Sequence, residues 1–220
     1  MSEPTARCLN ISASHRKGSA TLLDLRRPLE PAGRPRAPLS ASLYRAHTCR
    51  AGGITIMEVT FRTAAAEAAL LALKDAAIPG MCIGAGTVLT VEQAEAAIAA
   101  GSEFVISPGV NPEVVAYCVA HDVPVFPGIA TPTDIQAAMN LGVDTLKFFP
   151  AEANGGIPTL SALAAVFSMI KFMPTGGITS DNIAEYLAVR DTRERLTHFT
   201  QIGLLLHSLC LPPIIALTCQ

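Results

Sequence analysis

Charged residues are scarce in this chain, which argues against two large classes of binding partner. Only 15% of the 220 residues are charged, and the formal net charge is −2. That balance supplies no basic patch to attract a phosphate backbone or an anionic membrane surface. Hydrophobic residues make up 50% of the chain, which is typical of a globular protein with a substantial core. We therefore expect neither nucleic acid nor a membrane as a partner.

Patterns for metal binding and membrane spanning are also missing. The six cysteines form no C-x-x-C pair and the five histidines are scattered, so no metal site is expected. The apolar stretch 199–219 is interrupted by Gln201, His207 and Pro212-Pro213. It therefore has fewer than the 18 consecutive apolar residues that indicate a membrane span. A packed helix with an extended segment is favoured there, and the cytoplasm is the expected compartment.

The distribution of charge divides the chain into three segments. Residues 1–50 hold nine Lys/Arg against three Asp/Glu, residues 51–189 four against thirteen, and residues 190–220 three against two. The first segment carries five prolines and no sustained apolar period, which predicts loop or disorder, or a divergent first unit. An organelle transit peptide is the alternative, although no amphipathic helix is evident. The last segment is an atypical apolar tail.

The middle segment repeats one unit, a short apolar strand followed by a Gly- or Pro-containing loop and an Ala-rich helix. This alternation predicts an α/β fold with a parallel sheet, of the TIM-type (β/α)8 barrel class. Six units are recognisable, so the barrel is expected to be complete only if both flanking segments contribute a strand. The predicted strands are Ile54–Phe61, Met81–Gly84, Phe104–Ser107, Val123–Phe126, Thr145–Phe149 and Ile170–Met173.

Helix boundaries in this segment are marked by capping residues. Thr90 and Gln93 are spaced as a capping box. Asn111-Pro112 and Thr131-Pro132 each combine an N-cap residue with a proline at the first helical position. Gly101 and Gly142 are placed to end the preceding helices.

Chemistry in a barrel of this class is expected at the carboxyl ends of the strands. Lys147 lies within an apolar strand, where desolvation lowers the pKa of its ammonium group and favours an amine able to form a Schiff base. A lysine whose head reaches water, or half of a buried ion pair, is the alternative. Glu58 shares the inward strand face with Ile56 and Thr60. It is either the ion-pair partner of Lys147 or a general base beside it.

Six stretches together resemble the class I aldolase family of 2-keto-3-deoxy-6-phosphogluconate (KDPG) and 4-hydroxy-2-oxoglutarate (KHG) aldolases. They occur in family order with family-like spacing over roughly 140 residues. The stretches are GGITIMEVTFRT (52–63), IGAGTVLT (83–90), FVISPG (104–109), VPVFPGIATPTD (123–134), LKFFPAEANGG (146–156) and FMPTGGIT (172–179).

The resemblance implies a role for each matching residue. Lys147 is the Schiff-base lysine and Glu58 the proton shuttle. Arg62 and Thr87 hold the pyruvate carboxylate, and a guanidinium suits this task because it forms a bidentate fork. Thr175, Gly176 and Gly177 form part of a substrate-phosphate site, and Pro108 and Phe149 are wall residues around the imine, with core packing as their alternative.

The implied activity is cleavage of a 2-keto-4-hydroxy acid to pyruvate and an aldehyde, without a cofactor. Gly84-Ala85-Gly86 lacks the third glycine of a dinucleotide fingerprint, so no nicotinamide cofactor is expected. The resemblance also implies a small-molecule keto-acid substrate and a homotrimer.

Two departures from the family pattern leave other functions open. Residues 37–50 do not read as the family's first strand and helix, and residues 190–220 lack the final Gly-Gly-Ser motif. A catalytically impaired barrel that binds pyruvate-like anions, or nothing, is the main alternative. A phosphate-binding barrel enzyme without a Schiff base is another, but it leaves Lys147 and Glu58 unexplained.

Overall fold

A computed structural model describes residues 38–189 of the chain. Helices and strands alternate throughout this range, as the repeated unit predicts. In chain order the elements are α1 (Pro38–Ala51), β1 (Ile56–Thr60), α2 (Ala65–Ala76), β2 (Cys82–Gly86), α3 (Val91–Ala99), β3 (Val105–Ile106), α4 (Pro112–Ala120), β4 (Val125–Phe126), β5 (Gly128–Ile129), α5 (Pro132–Asn140), β6 (Thr145–Phe148), α6 (Gly156–Val166), β7 (Lys171–Pro174) and α7 (Ile183–Ala188).

All strand pairings are parallel, in the orders β1-β2-β3-β4 and β5-β6-β7. Only Pro127 separates β4 from β5, and a proline has no N–H group to donate to a ladder. Its carbonyl still accepts from Lys147 N at 2.9 Å, and Gly128 N donates to Ser107 O at 3.0 Å. The two sheets therefore continue one another, and each of the six predicted strands is present, with small shifts at the ends.

The strands curve around a common interior. One buried cluster brings together residues from strands β1 through β4 and from β7. Its members are Ile56, Cys82, Phe104, Ile106, Phe126 and Met173. Neighbouring residues on the opposite strand face, such as Met57 and Val59, pack outward against the helices. This inward and outward alternation is the pattern of a TIM-type α/β fold. No strand pairing joins β1 to β7 within residues 38–189, so this range does not close a barrel.

Of the alternatives expected for residues 1–50, loop or disorder is wrong for residues 38–50, which belong to helix α1. Pro38 is compatible with a helix because it occupies the first position, where its missing N–H costs nothing. Ser42 and Ala46 lie one turn apart and are fully buried. The Arg50 side chain ties the end of the helix to Pro79 O at 2.8 Å. Two small buried residues carry too weak an apolar period to signal the helix in advance.

The predicted caps are present, with one change of partner. Asn111 and Thr131 accept hydrogen bonds from the first turns of their helices, and Gly101 and Gly142 follow helix ends with φ of +91° and +81°. Thr90 caps α3 as expected, but the reciprocal bond of the predicted capping box is absent. The Gln93 side chain instead accepts from Leu89 N, one residue earlier.

No helix among residues 38–189 is long and apolar enough to cross a membrane. The apolar tail 190–220 and residues 1–37 lie outside the described range.

Candidate active site

Lys147 points into the interior from the centre of β6. Its strand neighbours Leu146 and Phe148 belong to the outer core, and in register it lies between Gly128 of β5 and Met173 of β7. The side chain is only 9% exposed. This is the mid-strand, inward position that the sequence predicts, and it is an unusual one for a lysine.

Glu58 enters the same interior from β1, where Gly86 of β2 makes room for it and Gly84 makes room for the Phe104 ring. In register Glu58 pairs with Gly84 and Thr60 with Gly86. A Cβ atom at Gly86 would lie 1.5 Å from Glu58 Oε1, and a Cβ at Gly84 would lie 2.2 Å from the Phe104 ring. The Glu58 carboxyl group therefore rests directly on the Gly86 backbone. Any larger residue at position 86 would displace it.

Lys147 and Glu58 influence each other's charge without forming a close pair. No ion pair of 4.0 Å or less joins them within residues 38–189. Burial lowers the pKa of Lys147; the Glu58 charge opposes that shift and the Arg62 charge reinforces it. Burial raises the pKa of Glu58 against the opposing charges of Lys147 and Arg62. Both shifts favour neutral groups, which a tight structural ion pair would not do.

Arg62 and Thr87 lie beyond the ends of β1 and β2, closer to solvent than Lys147. Arg62 is exposed and Thr87 half-buried. The Arg62 charge acts on both Glu58 and Lys147. Thr87 adopts a φ of +57°, a left-handed conformation that is rare for a β-branched residue. Its hydroxyl has no hydrogen-bond partner within residues 38–189, and strained residues of this kind are concentrated at functional sites.

Phe149 and Pro108 flank the lysine. Lys147 Nζ lies 4.6 Å from the centroid of the Phe149 ring, within the range of a cation–π contact. The Pro108 carbonyl occupies the space beside Gly128, where a Cβ atom would lie 2.2 Å from its oxygen. Because Gly128 is the register partner of Lys147, Pro108 is close to the lysine as well.

The loop after β7 presents unpaired backbone donors. Gly176 and Gly177 have φ of +99° and +79°, and the N–H groups of Gly176, Gly177 and Ile178 have no acceptor within residues 38–189. The carbonyl groups of Thr175 and Gly176 accept from Ala151 N and Glu152 N at 2.8 and 3.1 Å. This pairing fixes the turn beside the loop after β6. Successive free N–H groups form a concavity suited to an anion.

The structure thus places all nine predicted site residues within or just after strands β1, β2, β3, β6 and β7, and Gly177 is the exposed outer end of the turn. Sequence reasoning missed the space-making role of Gly84, Gly86 and Gly128. Glycine inside a strand is itself a signal that another group approaches closely. Sequence reasoning also missed the Ile178 N–H group as a possible anion donor, because an apolar side chain does not reveal a free backbone N–H.

Fold and site together define a TIM-type α/β protein whose buried lysine lies beside a carboxyl group near the carboxyl ends of parallel strands. The family model for KDPG and KHG aldolase matches residues 40–193, and the chain belongs to this family. Helix α1 therefore falls almost wholly inside the matched range, although residues 37–50 were expected to depart from the family pattern.

Individual relatives agree with this assignment. The chain is 53% identical to the 2-dehydro-3-deoxy-phosphogluconate aldolase of Treponema pallidum over 62% of its length and 65% of the relative. It is 41% identical to the KHG/KDPG aldolase of Escherichia coli K12 over 64% of its length and 65% of the relative. The chain thus spans just under two thirds of the length of these relatives.

A solved structure gives the same result at the level of the fold. The KDPG aldolase of Legionella pneumophila, described with pyruvate captured as a covalent carbinolamine intermediate, is 42% identical with a TM-score of 0.62. The match covers 70% of this chain and 71% of that one.

Proposed function

We propose that this protein is a class I aldolase that cleaves 2-keto-4-hydroxy acids through a Schiff base on Lys147. The observation that carries the proposal is a buried lysine with a lowered pKa that faces a carboxyl group without a close ion pair. A lysine used only for structure would be paired or would extend to water. The KDPG aldolase of Legionella pneumophila, with pyruvate captured as a covalent carbinolamine, supports the same chemistry.

The reaction begins when Lys147 Nζ adds to the C2 ketone of the substrate, and the resulting carbinolamine loses water to give a protonated imine. Glu58, in its carboxylate form, accepts the proton of the C4 hydroxyl through a water molecule. The C3–C4 bond then breaks, its electron pair moves toward the imine nitrogen, and the aldehyde leaves. Glu58 returns the proton to C3 of the enamine, and hydrolysis of the imine releases pyruvate. A carboxyl group with a raised pKa suits both proton transfers.

The remaining residues hold the substrate. The Arg62 guanidinium and the Thr87 hydroxyl bind the keto-acid carboxylate at the rim. Phe149 and Pro108 exclude water from the imine. Thr175, Gly176 and Gly177 bind the far phosphate, with the Ile178 N–H as a further donor.

Two substrates fit this chemistry. KDPG would yield pyruvate and glyceraldehyde 3-phosphate, whereas 4-hydroxy-2-oxoglutarate would yield pyruvate and glyoxylate. No cofactor is needed in either case, because the imine acts as the electron sink. The family resemblance implies a homotrimer located in the cytoplasm. Light scattering would test the trimeric state.

Reductive trapping tests the proposal directly. Borohydride added with pyruvate should convert the imine to a secondary amine, and mass mapping should find the adduct on the peptide containing Lys147. The matched control is Lys147→Met, which should give no adduct, while the exposed Lys74 should stay unlabelled. An adduct on another lysine, or none in a folded preparation, would refute the assignment and favour the catalytically impaired alternative.

A further inference from the structure

Side-chain amides tie together three loops that follow β1, β2 and β3. Gln93, in the first turn of α3, accepts from Leu89 N through Oε1 at 2.7 Å. Its Nε2 donates to Phe61 O at 3.5 Å, a long contact to the residue just before Arg62. One side chain therefore spans the loop after β1 and the loop after β2.

Asn111 binds the backbone of the same residue, Leu89, through its carbonyl group. Its Oδ1 caps α4 by accepting from Glu113 N at 3.0 Å, and its Nδ2 donates to Leu89 O at 3.0 Å. The Leu89 N–H is thus bound by Gln93 and the Leu89 carbonyl by Asn111. We call these two side chains, with the Leu89 peptide between them, the amide clamp.

The amide clamp lies beside both residues proposed to bind the carboxylate. Phe61 N donates to Gly86 O at 2.7 Å, and Val88 N donates to Ile106 O at 3.2 Å. Thr87 therefore lies between two residues, Gly86 and Val88, whose backbone groups are both hydrogen-bonded to neighbouring strands or loops. A β-branched residue keeps a φ of +57° only when the surrounding structure holds it there. An exposed arginine likewise loses less conformational entropy on binding when its loop is fixed beforehand.

We propose that Gln93 and Asn111 are positioning residues that hold Arg62 and Thr87 ready for the keto-acid carboxylate. This inference rests on the proposed function and extends it to residues that touch no substrate. Gln93 acts through the Phe61–Arg62 segment, and Asn111 acts through the Leu89 peptide on Thr87. Because both prepare ground-state binding, they affect the affinity for pyruvate more than the rate of the chemical steps.

Two conservative substitutions each break one half of the clamp. Gln93→Glu keeps the acceptor for Leu89 N but sets a carboxylate against Phe61 O. Asn111→Asp keeps the helix cap but removes the donor to Leu89 O. In each variant the pyruvate concentration for half-maximal borohydride trapping should rise roughly fivefold, the equivalent of one neutral hydrogen bond. The trapping rate at saturating pyruvate should stay within about twofold.

The control is Gln136→Glu, because Gln136 is an exposed glutamine on α5 away from the site. It should match the parent chain. Thermal melts of all the variants check that the fold is retained, so that a general loss of structure is not mistaken for lost positioning.

Double variants test the route of each effect. In an Arg62→Met background Gln93→Glu should have no further effect, and in a Thr87→Val background Asn111→Asp should have none, because the residue being positioned is gone. Unchanged half-maximal concentrations in both single variants, or fully additive effects, would refute the clamp. A parent chain that traps no pyruvate would instead refute the proposed function, and the positioning role with it.

Discussion

Lys147 and Glu58 have opposite charges in one interior, yet burial moves both toward their neutral forms. Burial is the largest influence on each pKa, and the partner's charge only partly offsets it. An amine must be neutral to attack a carbonyl, so the fraction of reactive Lys147 rises with pH through its lowered pKa. The pH midpoint of imine formation should therefore lie below the ordinary lysine pKa of 10.5.

Removing the carboxylate should separate two effects of Glu58, its influence on the pKa of Lys147 and its transfer of protons. Because the Glu58 charge raises the pKa of Lys147, Glu58→Gln should shift the pH midpoint of pyruvate trapping downward. Turnover of the keto acid should fall by about 10²–10⁴ because the proton shuttle is lost. Trapping across a pH series and steady-state turnover measure the two effects.

Glu95→Gln is the matched control, since Glu95 is exposed on α3, and it should change neither quantity. A Glu58→Gln variant with parental turnover would show that Glu58 has only a structural part.

Arg62 can be tested by keeping its charge and changing its shape. Arg62→Lys loses the bidentate fork, so the apparent affinity for pyruvate should weaken roughly tenfold, about the value of one charge-assisted hydrogen bond. The pH midpoint of trapping should stay in place because the positive charge remains. Arg62→Met removes the charge that lowers the pKa of Lys147, so it should also move that midpoint upward. Unchanged affinity in both variants would assign the carboxylate to Thr87 and backbone groups.

At the scale of elements, β2 serves the site by carrying no side chain at two inward positions. Gly86→Ala would place a Cβ 1.5 Å from Glu58 Oε1. The end of a flexible side chain can move away, so we expect a modest loss of stability, about 1–3 kcal/mol. Turnover should fall much more, because the displaced carboxyl group no longer reaches the substrate. Chemical denaturation and turnover together would show the contrast.

Gly109 offers the control for this experiment. A Cβ atom there meets nothing within 4 Å, and its φ is not left-handed. Gly109→Ala should therefore change stability by no more than about 0.5 kcal/mol. Equal turnover in the two alanine variants would show that Glu58 does not need the space over Gly86.

At the scale of the whole molecule, the last segment of the chain matters for the edges of the sheet. Within residues 38–189, β1 and β7 pair on one side only with β2 and β6, and a strand without a neighbour leaves backbone groups unsatisfied. Residues 190–220 lack the Gly-Gly-Ser motif that the family resemblance implies at the phosphate site. Replacing them with a family-like final strand should raise both the melting temperature and the activity on phosphorylated substrate.

The comparison substrate for this chimera is 4-hydroxy-2-oxoglutarate, which carries no phosphate, so its turnover should change less. If the parent chain already melts high and strongly prefers the phosphorylated keto acid, the parent tail already performs that task by another sequence.

The sequence by itself determined the alternation of elements and the place of the central side chains. Period-two patterning is local, so it predicted that Glu58 and Ile56 share the inward face, and that Lys147 lies inside a strand. The bonds by which Asn111 and Thr131 cap their helices join residues no more than three positions apart, so the helix starts could be predicted as well. The family resemblance then supplied a role for each residue.

Only the tertiary structure decided what depends on distant parts of the chain. Helix α1 has no clear apolar period and is held by packing on α2. The Gln93 side chain bonds to Leu89 N and Phe61 O. Its spacing had predicted a capping-box bond to the backbone of Thr90. The Glu58 carboxyl group lies against Gly86, a residue 28 positions away in the chain and on the paired strand β2. Local periodicity fixes which way a side chain points, whereas its partners are set by the sheet register and by the space that neighbouring strands leave.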